Sequence, residues 1–195
     1  MLHNFDLSLK HEREQTAKAD EFYRDVLKVD AIIRFNSDSE SDMEMQRQDV
    51  DCVLKLNGLS FRVSEKFRDK DYGDMYIEIY SKFPATKGWL HTGTPNAILY
   101  FTPLSVYWIT HKSLSNFCLF VLFPLIPEKW YDELIHSGVN IISKRIKFQN
   151  AFQKINLILA SNYLADGTKW NTVGLSTSFS FLENNQVKIK KFTFK

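Results

Sequence analysis

The clearest pattern in the chain is a strict alternation over residues 49–66 that is broken once. Val50, Cys52, Leu54 and Leu56 alternate with Asp49, Asp51, Val53 and Lys55. Asn57-Gly58 follows, and then Leu59, Phe61 and Val63 alternate with Ser60, Arg62 and Ser64. Period-two alternation marks half-buried strands, and Asn-Gly between two such runs is a strong hairpin signal. A two-residue turn there sets Leu56 opposite Leu59, Asp51 opposite Ser64 and Asp49 opposite Lys66. One face is then apolar and ends in Glu65. The other gathers Asp49, Asp51, Ser64 and Lys66 at one end of the hairpin.

Around this segment the pattern is coarser. Residues 11–28 carry apolar positions at a spacing of three to four, which predicts an amphipathic helix. Residues 31–35 (AIIRF) read as a short strand, and the acidic stretch 36–44 as a polar loop. Met75, Ile77 and Ile79 alternate with Asp74, Tyr76, Glu78 and Tyr80, which predicts another strand. Residues 87–96 read as loop with a buried aromatic anchor. Short strands are expected at 97–101, 106–109 and 118–123, and a helix over 127–136 that ends at Ser137-Gly138. Residues 140–195 mix β-prone and polar stretches. Their last ten alternate Val/Ile with Lys until the phase slips at Lys191, as in an edge strand guarded by lysines. The sum is an α+β chain with a central mixed β-sheet and flanking helices. It reads as a single domain over 1–195, with a core at about 10–125 and an extension of the same domain at about 126–195.

Composition adds limits. A hydrophobic fraction of 44% with 7 Gly and 5 Pro is that of a packed globular chain. The apolar run 117–123 stops at Pro124, short of the roughly 20 residues that span a bilayer. The start carries no basic and apolar signal pattern, and Cys52 and Cys118 suit small core hydrophobes. A cytoplasmic chain without membrane contact is the expectation. Net charge is +2, but residues 1–80 carry 12 Lys+Arg against 18 Asp+Glu, and residues 81–195 carry 13 against 5. The second half could therefore follow a polyanion. His3, His11, His91, His111 and His136 have no metal-ligand spacing and read as non-ligands.

Two carboxylates and an amine on adjacent strands are groups that metal-assisted phosphodiester hydrolysis uses. Asp51, with Asp49 beside it, would ligate a divalent cation, and Lys66 would orient water or offset charge on the phosphate. Glu78 would complete the set if its strand neighbours the hairpin. The same residues would equally make a solvated cross-strand ion-pair cluster.

The order of helix, strand, Asp-bearing strand, turn and strand ending in acid-x-Lys resembles the core of the PD-(D/E)xK, or restriction-endonuclease-like, nuclease superfamily. The matching residues are 46–51 (QRQDVD), 64–68 (SEKFR), 73–79 (GDMYIEI) and Gly88-Trp89, within residues 10–125. The resemblance implies a Mg²⁺- or Mn²⁺-dependent nuclease, acting on nucleic acid and in the first place DNA, with a homodimer as one arrangement for cutting both strands. It gives Asp51 and Lys66 catalytic roles. The acidic position two before the lysine is Ser64 here, and the carboxylate sits at Glu65. A bulge could turn Glu65 inward, Glu78 could replace the missing ligand, or the fold could bind nucleic acid or a protein partner without cutting.

Overall fold

A computed structural model describes residues 2–4, 15–164 and 166–194, the first three by backbone alone. Among the described residues the strands are β1 (Leu2–Asn4), β2 (Ala31–Arg34), β3 (Cys52–Leu56), β4 (Leu59–Phe67), β5 (Asp74–Lys82) and β6 (Thr86–Lys87). They continue with β7 (Ala97–Phe101), β8 (Ser105–Thr110), β9 (Ile141–Phe148), β10 (Ala151–Tyr163), β11 (Lys169–Ser178) and β12 (Ile189–Thr193). The class is α+β, as expected. In place of one central sheet there are two six-stranded sheets, each in its own compact unit.

The first unit takes in β1, Tyr72–His91 and Ser113–Val187. Its sheet runs β1-β10-β11-β5-β6, with β9 beside β10, and every pairing is antiparallel except β1–β10. Met75, Ile77 and Ile79 of β5 are buried, as their alternation predicts. Gly174 of β11 lets the Tyr76 ring of β5 lie across the sheet, because a Cβ there would fall 2.4 Å from the ring. The helix expected over 127–136 is α5 (Glu128–His136). Residues 118–123 depart from the expected strand. They continue α4 (His111–Phe117) as a π turn at Cys118–Leu122 and a 3₁₀ turn at Phe123–Leu125. Leu114, Phe117, Cys118 and Leu122 are buried while Phe120 is 76% exposed, a helical and not an alternating pattern. In place of the loop with a buried aromatic anchor expected in 87–96 there is a short helix, α3 (Trp89–Thr92), whose buried residue is Leu90, while Trp89 is half-buried.

The second unit takes in residues 15–71, Thr92–Lys112 and the chain from Lys188. Its sheet runs β12-β8-β7-β4-β3-β2, mixed because β4 and β7 are parallel. The β3–β4 register is the expected one from Leu56↔Leu59 to Cys52↔Val63, closed by Asn57 and Gly58 at φ 52° and 76°. Positive φ at both residues marks the type I′ turn. Helix α1, helical at residues 15–22 and widened into a π turn at Tyr23–Leu27, packs Ala19, Phe22 and Tyr23 on Cys52, Leu54, Val63 and Leu99. The proposed helix start at 11–14 lies outside the described residues. The acidic stretch read as a loop forms α2 (Glu40–Arg47). Ser39 caps it by accepting the Asp42 N–H at 3.2 Å, while the Asp42 carboxylate reaches back to the Ser37 N–H at 3.0 Å. Strand β12 is the expected edge strand and, among the described residues, pairs only with β8.

The α1 face of this sheet holds a buried ionic network. Arg34 of β2 meets both Glu65 oxygens at 3.0 Å and Asp20 of α1 at 2.6 and 2.9 Å, and the Tyr23 hydroxyl donates to Glu65 at 2.5 Å. Burial would lower the Arg34 pKa, but Glu65 and Asp20 outweigh it and hold the guanidinium above its usual value. Removing one partner of a buried pair leaves the other charge uncompensated. Arg34→Ala should therefore cost about 3 kcal/mol, read as a lower denaturant midpoint, and the apolar double variant Arg34→Met/Glu65→Leu should recover much of it. A single variant as stable as the parent would contradict this.

Candidate functional site

The polar end of the β3–β4 hairpin is built by a kink. After α2, Asp49 adopts φ 55°, a left-handed conformation that aspartate tolerates better than most side chains. Its N–H is held by the Gln46 carbonyl at 2.9 Å, and the Val50 N–H by the Met45 carbonyl at 3.0 Å. The kink brings the Asp49 carboxylate over β4, where it accepts from the Ser64 hydroxyl and from the Lys66 ammonium, both at 2.7 Å. Asp51 lies one residue before β3, where the regular pairing with β4 has ended at Cys52↔Val63. Its N–H donates to the Val63 carbonyl at 2.9 Å, and its Oδ2 accepts the Glu65 N–H at 2.6 Å.

Asp49, Asp51, Ser64 and Lys66 thus come together, but not through the expected opposite pairs Asp51–Ser64 and Asp49–Lys66: the kinked Asp49 takes both Ser64, which is fully buried, and Lys66, which is about a quarter exposed. Burial pushes the Asp51 carboxyl up to about 6; Lys66 and the Glu65 N–H oppose the rise, and Asp49 and Glu65 add to it. Glu65 is turned to the other sheet face. Strand β4 keeps regular pairing with β7 through Val63–Phe67, and no bulge turns Glu65 inward. Both its oxygens are engaged by Arg34 and Tyr23. Glu78 lies on β5, opposite Gly174 in the first unit's sheet, and the neighbours of the hairpin are β2 and β7.

His111, which opens α4 and lies in the second unit with Asp49, has no motif spacing that would single it out. The residue is 9% exposed, and its Nε2 has no hydrogen-bond partner among the described residues. Burial lowers its pKa, and Asp49 works the other way. Arg34, Tyr23 and Asp20 were equally invisible to motif spacing, because Glu65 lies 31 and 42 positions from its partners Arg34 and Tyr23, and Asp20 joins the network through Arg34. Among the described residues no three His, Cys, Asp or Glu side chains form a ready metal cage. Two neighbouring carboxylates do suit Mg²⁺, which is commonly held by one or two carboxylates with water and substrate phosphate oxygens filling the rest.

A carboxyl raised above its unfolded value of about 4 binds its proton more tightly in the folded chain. That contribution to stability is complete at acid pH and is lost as pH rises through 6. Asp51→Asn should therefore raise the melting temperature at pH 8 by roughly 2–4 °C, the response of a chain this size to about 1 kcal/mol, and leave it unchanged near pH 4. An equal effect at both pH values would contradict the assignment.

No protein-family model, curated protein or solved structure matches the chain. The chemistry of this cluster is therefore read from its own residues.

Proposed function

We propose that the chain is a divalent-metal-dependent nuclease acting on DNA, with Asp49, Asp51 and Lys66 at its reactive centre. The observation that carries this is the convergence of two carboxylates with a single amine at the end of the hairpin, which leaves the cluster one positive charge short. Asp51 and Asp49 would hold the cation. When bound, the ion supplies Lewis-acid polarisation of the phosphate and lowers the pKa of a coordinated water. Lys66 faces the charge that develops on the phosphate as the P–O bond breaks. Ser64, by donating to Asp49, fixes the orientation of that carboxylate. Glu65 has no place in this set because its charge is matched by Arg34.

A second reading, a nucleic-acid-binding chain that does not cut, has its own support. Ser64 stands where the resemblance expects an acid, and Asp49 is already bonded through both oxygens. Plasmid and single-stranded oligonucleotides incubated with Mg²⁺, Mn²⁺ or EDTA separate the two. Nuclease chemistry predicts cutting that needs the metal and falls by roughly 10²-fold or more in Asp51→Ala and Lys66→Ala. No cutting by the parent chain under any metal favours the second reading. Cutting that survives in Asp51→Ala overturns the residue assignment.

A further inference from the structure

In the first unit, β9 and β10 form a two-stranded ribbon that continues beyond the sheet. Antiparallel pairing runs from Ile141↔Ile158 to Phe148↔Ala151, whereas β11 joins β10 only from Asn156. The inward face is apolar: Ile142, Ile146, Ile155 and Leu157 are buried. The one cation on that face, Lys144, is matched by Glu133 of α5 at 2.6 Å. The outward face is different in kind. Arg145 stands directly opposite Lys154, and Lys147 directly opposite Phe152. All four are exposed, and Phe152 has 71% of its surface in water.

Neither protein stability nor solubility accounts for this face. Like charges directly opposite on a sheet are destabilising, and among the described residues none of these three cations meets a carboxylate. Lysines on a ribbon edge can block unwanted strand pairing, but an exposed phenylalanine between them works against that. Cations flanking an open aromatic ring suit a chain of phosphates that carries unpaired bases, because the ring stacks on a base while the cations displace counterions. We propose that the outward face of the β9–β10 ribbon binds single-stranded DNA, with Arg145, Lys147 and Lys154 on the backbone and Phe152 against a base. This deepens the nuclease reading by naming a substrate grip, and it rests on that reading only for its choice of polymer.

The test is fluorescence anisotropy of a labelled 20-nucleotide thymidine strand in EDTA, where no metal-dependent cutting occurs. Arg145→Gln/Lys147→Gln/Lys154→Gln should bind at least tenfold more weakly, with the slope of log K against log salt reduced by about 2, as expected for three lost single-strand contacts. Phe152→Ala should weaken binding about fivefold or more, and an unlabelled duplex of the same length should compete poorly. The triple variant should melt no lower than the parent, since it relieves a like-charge pair; if it melts lower, Arg145→Gln alone carries the comparison. Unchanged affinity in the charge variants overturns the proposal, as does a duplex that competes equally while Phe152→Ala is without effect. Binding lost in these variants with no cutting by the parent chain would sink the nuclease reading and leave the ribbon standing. Cutting with unchanged binding would do the reverse.

Discussion

The Asn57-Gly58 turn fixes which side of the sheet each residue of the hairpin occupies, and the chemistry of the second unit depends on it. Strand side chains alternate with a period of two, so a slip of one residue would exchange the two faces. With both turn residues at positive φ, Asp51 and Lys66 fall on one face and Glu65 on the other. A turn one residue longer would set Glu65 among the carboxylates and turn Ser64 and Lys66 to the face of Arg34. Two residues of turn chemistry thus divide the acidic groups between a polar cluster and a structural network.

The two groups answer the cost of burying charge in opposite ways. Glu65 meets a guanidinium through both oxygens and a tyrosine hydroxyl besides, so its charge is matched within the chain. This network also ties α1 to β2 and β4, setting the helix on the sheet. Asp51 accepts a backbone N–H from Glu65 and feels Lys66 only as a neighbouring charge. Lys66 is bonded to Asp49, and burial holds the Asp51 carboxyl up at about 6. Surplus negative charge of this kind is what the proposed cation would offset.

Much of the hairpin was legible in the sequence because local chemistry alone decides it. Alternation assigns the faces, Asn-Gly assigns the turn, and the register follows; β5, β7, β8, β12 and α5 were legible on similar grounds. The helix α2 was not, because its acidic composition masked the Ser39–Asp42 cap. Residues 118–123 misled because an unbroken apolar run has no period, and only the earlier positions Leu114 and Phe117 extend the helical spacing. The long strands β9–β11 draw their burial from partners far along the chain, and their sequences alternate too irregularly to declare it. At the site, the turn places Ser64 and Lys66 on one face of β4 and Glu65 on the other, but the kink that brings one Asp49 carboxylate to both Ser64 and Lys66 lies outside its reach. The partners of Glu65 were not legible either, since Arg34 and Tyr23 reach it only through the folded sheet. The charge division along the sequence does not survive folding either, since the basic strand β12 joins the sheet that carries Asp51.

The most direct test of a cation held by Asp49 and Asp51 is calorimetric titration of the intact chain with Mn²⁺ at neutral pH. Saturable binding is predicted, abolished in Asp51→Asn and weakened in Asp49→Asn, with both variants folded. Absence of saturable binding, or binding undiminished in Asp51→Asn, would contradict the placement of a metal at this hairpin.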